Sequence, residues 1–407
     1  MDGILQMIAR QEAWDGFLAY RLRKGRFTWR SFEQADDFVE CERYLPLARH
    51  LAAGGSLSLP ERLVINKMGT GKTRIVYRFQ PEEMTVLKLI ANLLYRYDGR
   101  FASGCYAFRR GVRASDAIFQ LRSALKGRRM WAYKVDIHDY FNSIPIPLLL
   151  PLLKQWLSDD EPIYGFFERL LDDDRAMCGD TVVRAPRGVM AGTPTAPFLA
   201  DVYLSEVDHH FCDAGVIYAR YSDDIILFSP DSQTLEHHKA TLMEFFREYS
   251  LSVNPEKEHT YTPDEPFEYL GFRCSRRQID ISMATRQKMK AKIRRKARAM
   301  RRWCSREGKD PTLAMKGLIR YFNRKFFDSS DPDRLSWSRW YFPVINRTEG
   351  LREIDHYLQE QLRFVASGRH CKANYRVRYA DLKTLGYKSL VHEYHLYHKR
   401  KTLEYGK

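Results

Sequence analysis

One stretch of the sequence, Val216 to Ser229, constrains the fold more than any other, because it places adjacent acids between two apolar runs. The runs before and after Tyr221-Ser222-Asp223-Asp224 have the alternation and the β-branched and aromatic content of strands, which predicts a hairpin with both acids at its tip. Neighbouring carboxylates are costly unless a cation neutralises them, and divalent cations such as Mg²⁺ prefer oxygen ligands. The stretch therefore predicts a metal site, with an ordinary Asp-Asp turn as the alternative.

The charge of the chain points to an anionic partner. Its 407 residues carry 67 Lys and Arg against 51 Asp and Glu, a net charge of +16, which indicates nucleic acid or an anionic membrane surface. The sequence has no apolar run of the roughly 18 residues expected of a membrane span, and its first residues do not have the basic region, apolar region and cleavage site of a secretory leader. Seven dispersed cysteines without a Cys-x-x-Cys pair favour a reducing compartment. We expect a cytoplasmic, globular protein of two or three domains with no membrane partner.

The stretch from Val64 to Tyr77 admits two functional interpretations. Its Gly-Thr-Gly-Lys-Thr at 69–73 suggests the phosphate-binding loop of an ATPase, but that loop needs a glycine where this chain has Asn66, and a helix where this chain continues as a strand. The alternative is a β-hairpin whose Lys67, Lys72 and Arg74 hold a triphosphate by side-chain charge. We favour the hairpin over an ATPase that depends on Lys72, and a solvated basic turn remains the simpler alternative.

A third acid lies at the end of an earlier strand. Residues 130–141 read as a strand that carries Asp136 near its end, with Phe141 five residues later. If this strand neighbours the hairpin in one sheet, Asp136, Asp223 and Asp224 form a single three-carboxylate site.

Two loops have residues that suit a close approach to nucleic acid. Arg109 and Arg113 lie beside glycines and aromatic residues, as in contacts to a phosphate backbone. The stretch from Arg187 to Ala200 includes Gly192 and two prolines, and such residues let a backbone approach a flat object such as a base pair. A plain surface loop is the alternative for each.

A strongly basic helix follows near the end of the chain. Between Arg286 and Lys309 there are twelve Lys or Arg and one acid, while Met289, Ile293, Ala297, Met300 and Cys304 recur at helical spacing. Such a helix packs one face on a core and presents positive charge to a phosphate backbone. A merely solvated helix is the alternative.

Taken in this order, the motifs resemble the reverse transcriptase domain of bacteria, from about residue 60 to 335. Asp136 with Phe141 is similar to the first palm motif, and residues 188–204 are similar to the glycine-proline motif that lines the template and the incoming nucleotide. The sequence at 221–224 is similar to the Tyr-x-Asp-Asp signature. Lys257 stands at the position of the palm lysine, and residues 267–272 are similar to the primer grip.

The resemblance implies an α+β right-hand polymerase with fingers, palm and thumb, an antiparallel palm sheet, a helical N-terminal extension and a helical thumb and C-terminal region. The expected boundaries are 1–60 for the N-terminal extension, 61–130 for the fingers, 131–280 for the palm with a finger-like helical insertion at 145–185, 281–335 for the thumb, and 336–407 for a basic and aromatic C-terminal region.

The resemblance also implies residue roles. Asp136, Asp223 and Asp224 would hold two Mg²⁺ ions, with Mn²⁺ as an alternative, and Lys257 would join them in catalysis. The dNTP substrate would meet Lys67, Lys72, Arg74, Phe141 and Gly192, with Phe141 as the gate against a ribose 2′-hydroxyl. Nucleic acid would meet Arg109, Arg113, Tyr269, Gly271, Lys292, Arg295, Arg298 and Arg302. The implied partners are an RNA template, expected to be a structured non-coding RNA, and the cDNA product, and an oligomer is left open.

The glycine-proline motif departs from the usual family pattern at four positions. Met190, Ala191, Ala196 and Asp201 stand where proline, glutamine, serine and asparagine are usual. These changes bear on template preference or fidelity and leave the three acids intact.

The subfamily is read from the tail, which contains Tyr341-Phe342-Pro343 and the stretch 385–390. The compact chain most resembles the unclassified bacterial reverse transcriptases associated with phage defence, some of which copy a partner non-coding RNA. The alternatives are a mobile-element reverse transcriptase of group II intron or retron type, and a catalytically silent RNA-binding protein on the same fold.

Overall fold

A computed structural model describes residues 2–23, 29–66, 73–184, 186–275, 277–327, 336–369, 374 and 376–405 of the chain. Its contacts divide the chain into a first unit, Met1–Glu265, and a second unit, Pro266–Lys407. The division falls within the segment 131–280 that the sequence predicts to be one domain. It comes just before the residues that resemble a primer grip.

The first unit begins with helices and then combines two sheets with further helices. Its helices are α1 (Ile4–Met7), α2 (Gln11–Arg23), α3 (Trp29–Glu40), α4 (Tyr44–Ala52), α5 (Pro81–Leu93), α6 (Ala114–Ala124), α7 (Tyr140–Ser143), α8 (Ile146–Trp156), α9 (Glu161–Asp172), α10 (Ala196–Tyr203), α11 (Ser205–Asp213) and α12 (Ser232–Glu248). Its strands are β1 (Glu61–Asn66), β2 (Thr73–Arg78), β3 (Trp131–Asp136), β4 (Arg175–Cys178), β5 (Thr181–Arg184), β6 (Ile217–Tyr221), β7 (Asp224–Ser229) and β8 (His259–Tyr261). Short 3₁₀ turns cover Leu94–Arg100 and Pro255–Lys257.

The central sheet confirms the predicted strands around the acids. Its order is β6-β7-β3-β8, and every neighbouring pair is antiparallel. β6 and β7 are the two arms of the predicted hairpin, and β3 is the predicted strand that ends at Asp136. Val135 and Ile225 are fully buried in the core, as expected of strands that are covered by helices.

The second sheet of the first unit has the order β2-β1-β4-β5. β1 and β2 form the predicted hairpin, and because Thr73–Arg78 is a strand, the helix that a phosphate-binding loop requires does not follow 69–73. β4 joins β1 in parallel, with Glu61 opposite Met177 and a bond from Met177 N to Pro60 O of 2.9 Å. The predicted helical insertion at 145–185 contains α8 and α9, but its end forms β4 and β5, and β4 takes a second partner, β1, from far away in sequence.

The N-terminal helices form the predicted helical extension and pack into the same core. The indole of Trp14 is fully buried and donates to Ile8 O at 2.9 Å. A buried carboxylate, Asp160 at the start of α9, accepts a hydrogen bond from Ile4 N at 2.6 Å. These contacts fix α1 against α9.

The second unit is a small sheet followed by helices. Its strands are β9 (Phe267–Tyr269), β10 (Phe272–Cys274) and β11 (Ile279–Ile281), in the order β11-β10-β9. Its helices are α13 (Met283–Glu307), α14 (Pro311–Phe327), α15 (Trp337–Tyr341), α16 (Glu349–Ser367), α17 (Tyr379–Thr384) and α18 (Leu390–Tyr405). The predicted basic helix is α13, and its apolar face is buried as expected, with Met289, Ile293, Ala297 and Cys304 inside. Among the helices that the structure describes, none has the length and apolar character to cross a membrane.

Candidate functional site

The central sheet brings the three predicted acids together at one end. Asp136 is the last residue of β3 and pairs in register with Asp224, the first residue of β7. Ile137 N donates to Asp223 O at 3.0 Å, so Asp223 lies directly beside the end of β3. Ser222 has a positive φ of 62°, a left-handed conformation that turns the chain between β6 and β7. The tight turn therefore places Asp223 and Asp136 at the same end of the sheet.

The pKa shifts at this end of the sheet show that the carboxylates repel one another. Burial raises the pKa of Asp223, the negative charge of Asp136 raises it further, and the charges of Lys257 and Arg74 oppose the change. Burial likewise raises the pKa of Asp224 to about 6, while the nearby ammonium of Lys134 lowers it. Arg74 on β2 is thus close enough to lower the pKa of Asp223, and its predicted contact with a triphosphate stays a prediction.

Two lysines lie against the acids in this structure. Lys257 Nζ is 2.6 Å from Asp136 Oδ1, and its side chain is half exposed. Lys134 Nζ is 3.5 Å from Asp224 Oδ1, and both side chains are largely buried. Lys257 was predicted at this place, whereas Lys134 was missed, although its position two residues before Asp136 on β3 is a signal that alternation could have shown.

Within the described residues, no group of three or more His, Cys, Asp and Glu side chains is arranged to hold a metal ion. At the acids, Asp224 is paired with Lys134 and Asp136 with Lys257. A ligand set of all three carboxylates stays a prediction. Asp136 and Asp223 nevertheless supply oxygen donors and mutual repulsion, which is the donor chemistry that suits a divalent cation.

The loop from Arg187 to Thr193 is held between the short helix α7 and strand β2. Val189 N donates to Phe141 O at 2.9 Å, and Tyr77 N donates to Ala191 O at 2.8 Å. Gly188 has a φ of 53°, and a Cβ there would lie 2.2 Å from Phe141 O, so only glycine fits. Gly192, with a φ of 100°, packs against the backbone of Tyr77. The loop therefore fixes the predicted gate Phe141 relative to the hairpin that carries Arg74.

A buried charge cluster lies behind the Tyr-Ser-Asp-Asp turn. The Arg220 guanidinium is fully buried and donates to Asp208 Oδ1 at 2.8 Å from Nε and to Asp201 Oδ1 at 3.0 Å from Nη1. Its Nη1 also donates to Ser222 O at 3.2 Å. Burial alone would lower the pKa of Arg220, but Asp208 above all raises it well above its ordinary value. Arg220 is therefore a charged anchor for the turn, which sequence reasoning missed.

The remaining predicted residues are found in different settings. Arg109 donates to Ala102 O and Cys105 O at 2.9 Å each and to Asp98 O at 3.1 Å, which corrects the predicted phosphate contact, because the guanidinium is occupied within its own loop. Arg113 is exposed at the start of α6. Lys67 and Lys72 lie outside the described residues.

In the second unit, Tyr269 is fully buried, which corrects its predicted contact with nucleic acid, because a core ring has no surface to offer. Gly271 has a φ of 84° and makes the turn between β9 and β10. Arg295, Arg298 and Arg302 are exposed along one side of α13, and Lys292, one turn before them, is half-buried. This side, 292–302, is the basic stripe of α13.

Comparison with known proteins gives one family match and several structural likenesses. A family model described as reverse transcriptase (RNA-dependent DNA polymerase) matches residues 65–274. A telomerase from Candida albicans, solved with a fragment of telomeric RNA, has a TM-score of 0.44 and 11% identity, covering 82% of this chain and 62% of its own. Apo telomerase from Candida tropicalis has a TM-score of 0.48 and 10% identity, covering 81% and 60% respectively. The chain thus spans about three fifths of the length of these telomerases.

Proposed function

The chain belongs to the reverse transcriptase (RNA-dependent DNA polymerase) family, and we propose that it copies an RNA template into DNA by two-metal nucleotidyl transfer. The observation that carries the proposal is the adjacency of Asp136 and Asp223 at the end of the central sheet, with Lys257 against the first and the charge of Arg74 acting on the second. In these terms the central sheet is the palm, the sheet of β1 and β2 belongs to the fingers, and α13 is the thumb helix.

The acids fit a site for two Mg²⁺ ions, with Mn²⁺ as an alternative. Asp136 and Asp223 would hold the ions, and Asp224 would support them from its pair with Lys134. When bound, the ions would activate the primer 3′-hydroxyl and neutralise the triphosphate and the leaving pyrophosphate. In the structure the ammonium of Lys257 lies 2.6 Å from Asp136, so it supplies positive charge to a carboxylate that would hold an ion.

The side chains around the acids supply positioning and proton transfer. Arg74, together with Lys67 and Lys72, would bind the β and γ phosphates of the dNTP. The half-exposed Lys257 would release its contact with Asp136 and protonate the departing pyrophosphate. Phe141 would exclude the ribose 2′-hydroxyl, and the loop around Gly192 would line the nucleotide.

Nucleic acid would be bound by charge at separate places on the chain. Arg113 is exposed in the first unit, and the basic stripe of α13 and the turn at Gly271 belong to the second. The net charge of +16 supports a strong electrostatic contribution to this binding.

We propose further that the template is a dedicated, structured non-coding RNA and that the enzyme acts in the bacterial cytoplasm in defence against phage. The support is the resemblance of the tail, at 341–343 and 385–390, to the defence-associated reverse transcriptases. A mobile-element reverse transcriptase is the alternative within the same chemistry.

The proposal is tested by purifying the protein with its bound nucleic acid, adding dNTPs and Mg²⁺, and sequencing the RNA and any DNA made. We expect one predominant RNA and a cDNA complementary to it. Asp223→Asn should abolish synthesis, whereas Asp213→Asn, at an acid at the end of α11 whose side chain is 79% exposed, should leave it unchanged. A random pool of RNAs would contradict the dedicated template. RNA binding without any extension would identify a silent RNA-binding protein.

A further inference from the structure

One aromatic side chain at the candidate site has no role in the mechanism described so far. The ring of Phe108 is 6.0 Å from the ring of Phe141 in an edge-to-face arrangement and 6.3 Å from the ring of Tyr221. It therefore contacts both the proposed gate and the tyrosine that precedes the catalytic turn. Phe108 is nevertheless 37% exposed, which is unusual for a phenylalanine.

The backbone at Phe108 has a strained conformation, which sets the direction of its side chain. Its φ is 54°, in the left-handed region that bulky residues rarely adopt. Such conformations persist only where the surroundings determine them, and they concentrate at functional sites. The strain is therefore an observation that points to a use for this ring.

The surroundings that fix Phe108 are the hydrogen bonds of its own loop. Tyr106 N donates to Arg220 O at 2.9 Å, and Arg220 N donates to Gly104 O at 2.8 Å, so the loop before Phe108 runs along the outer edge of β6. After Phe108, Arg109 clamps three carbonyls, and Arg110 N donates to the Asp98 carboxylate. The ring is held in place from both sides along the chain.

The proposed gate depends on its neighbours in turn. Phe141 lies on the short helix α7 and is only partly buried. Its ring contacts Tyr140 at 5.8 Å and Phe108 at 6.0 Å. A partly buried side chain can change rotamer, and a gate that moves aside no longer excludes a hydroxyl group.

We propose that Phe108 is a positioning residue that holds the ring of Phe141 in place and so sets the discrimination between deoxyribonucleotides and ribonucleotides. Because the gate assignment belongs to the proposed function, this inference depends on it. Phe108 acts through Phe141, and its loss should change the choice of sugar more than the rate with dNTPs.

The test measures kcat/KM for dNTP and rNTP incorporation on one primer and template with the full chain. Phe108→Ala and Phe108→Gly should each lower the dNTP-to-rNTP ratio by about three- to tenfold, which is the range expected for one lost aromatic pair. Glycine suits the positive φ, so that variant tests the ring without the strain. Phe108→Tyr should keep the wild-type ratio, and Phe119→Ala, at an exposed ring on α6, should change nothing.

A double variant separates this role from a general structural one. If Phe108 acts through the gate, Phe108→Ala with Phe141→Ala should have the same ratio as Phe141→Ala alone. Wild-type ratios in both single Phe108 variants, with a collapsed ratio in Phe141→Ala, would overturn the inference and leave the proposed function standing. Absence of dNTP incorporation by the wild-type protein with Mg²⁺ would overturn both. An additive loss in the double variant would also contradict the inference.

Discussion

Replacing Asp201 by asparagine should stabilise the protein at neutral and alkaline pH. One Arg220 guanidinium faces two buried carboxylates, Asp201 and Asp208, so the cluster holds a surplus negative charge. Burial raises the pKa of Asp201 to about 7, although attraction to Arg220 lowers it. Because the folded pKa lies above the ordinary value of 3.8, folding favours the protonated acid. The stability from Asp201 is therefore fully present below about pH 4 and is lost as the pH rises towards 7.

The structure sets the size of the effect. One pKa unit corresponds to about 1.4 kcal/mol, so the rise from 3.8 to about 7 limits the cost of ionised Asp201 to about 4 kcal/mol. This limit already includes the attraction to Arg220, and asparagine keeps an acceptor oxygen for Arg220 Nη1. We expect Asp201→Asn to be about 1 to 2 kcal/mol more stable than wild type at pH 8. Below about pH 4, where Asp201 is protonated in both the folded and the unfolded chain, the two proteins should be about equally stable.

Thermal unfolding between pH 4 and pH 8 measures this difference. A gain of about 1 kcal/mol should raise Tm by roughly 2 to 4 °C for a unit of this size. The control is Asp208→Asn, which disturbs the carboxylate that accepts from Arg220 Nε and from the Tyr218 hydroxyl, both at 2.8 Å. That variant should lose about 3 kcal/mol at every pH, because it breaks a buried ion pair. Equal losses in the two variants at pH 8 would refute the surplus-charge explanation.

Three further predictions follow from the same region and from α13. Lys257→Ala should lower kcat about a hundredfold with little change in KM for dNTP, because the variant loses proton transfer and keeps substrate binding. Single-turnover kinetics would measure the loss in rate, and a rise in KM with unchanged kcat would contradict the assigned role of Lys257. Gly188→Ala should lower the free energy of unfolding, measured in urea, by at least about 2 kcal/mol, because its Cβ would clash with Phe141 O. Gly179→Ala is the control: Gly179 has a similar φ of 59° but open space around it, so its loss should be only about 1 kcal/mol. Replacing Arg295, Arg298 and Arg302 together by alanine should weaken RNA binding and reduce the slope of log K against log salt by about 2 to 3; an unchanged slope would remove the basic stripe from the interface.

The spacing of apolar residues was enough to predict the hairpin of β6 and β7, the strand that ends at Asp136 and the buried face of α13. In each case the apolar residues repeat with the period of the strand or helix that forms. The adjacency of Asp136 and Asp223 followed once the strands were assumed to be neighbours. The pairing of β4 with β1 could not be read in this way, since nothing within 175–184 indicates which distant strand will accept it.

The side-chain partners were the part of the site that was hardest to predict from the sequence. Arg220 stands in an otherwise apolar strand, which signals a buried charge, but its acids come from α10 and α11 and are brought to it only by packing. Arg109 and Tyr269 have the composition of nucleic-acid contacts, yet one satisfies loop carbonyls and the other fills a core. The residue type indicates what a side chain is able to bind, whereas its burial in the fold determines which groups it contacts.

The parallel pairing of β1 with β4 also has a consequence for the order of folding. β1 and β2 are joined by a short connection and can pair as soon as both have left the ribosome, but Glu61 cannot meet Met177 until β3, α8 and α9 have been made. Closing so long a loop is slow, and until then the end of β1 at Glu61 lacks its partner on that side. During synthesis, that end of β1 is therefore open to wrong pairing, and a chaperone that binds extended segments would protect it.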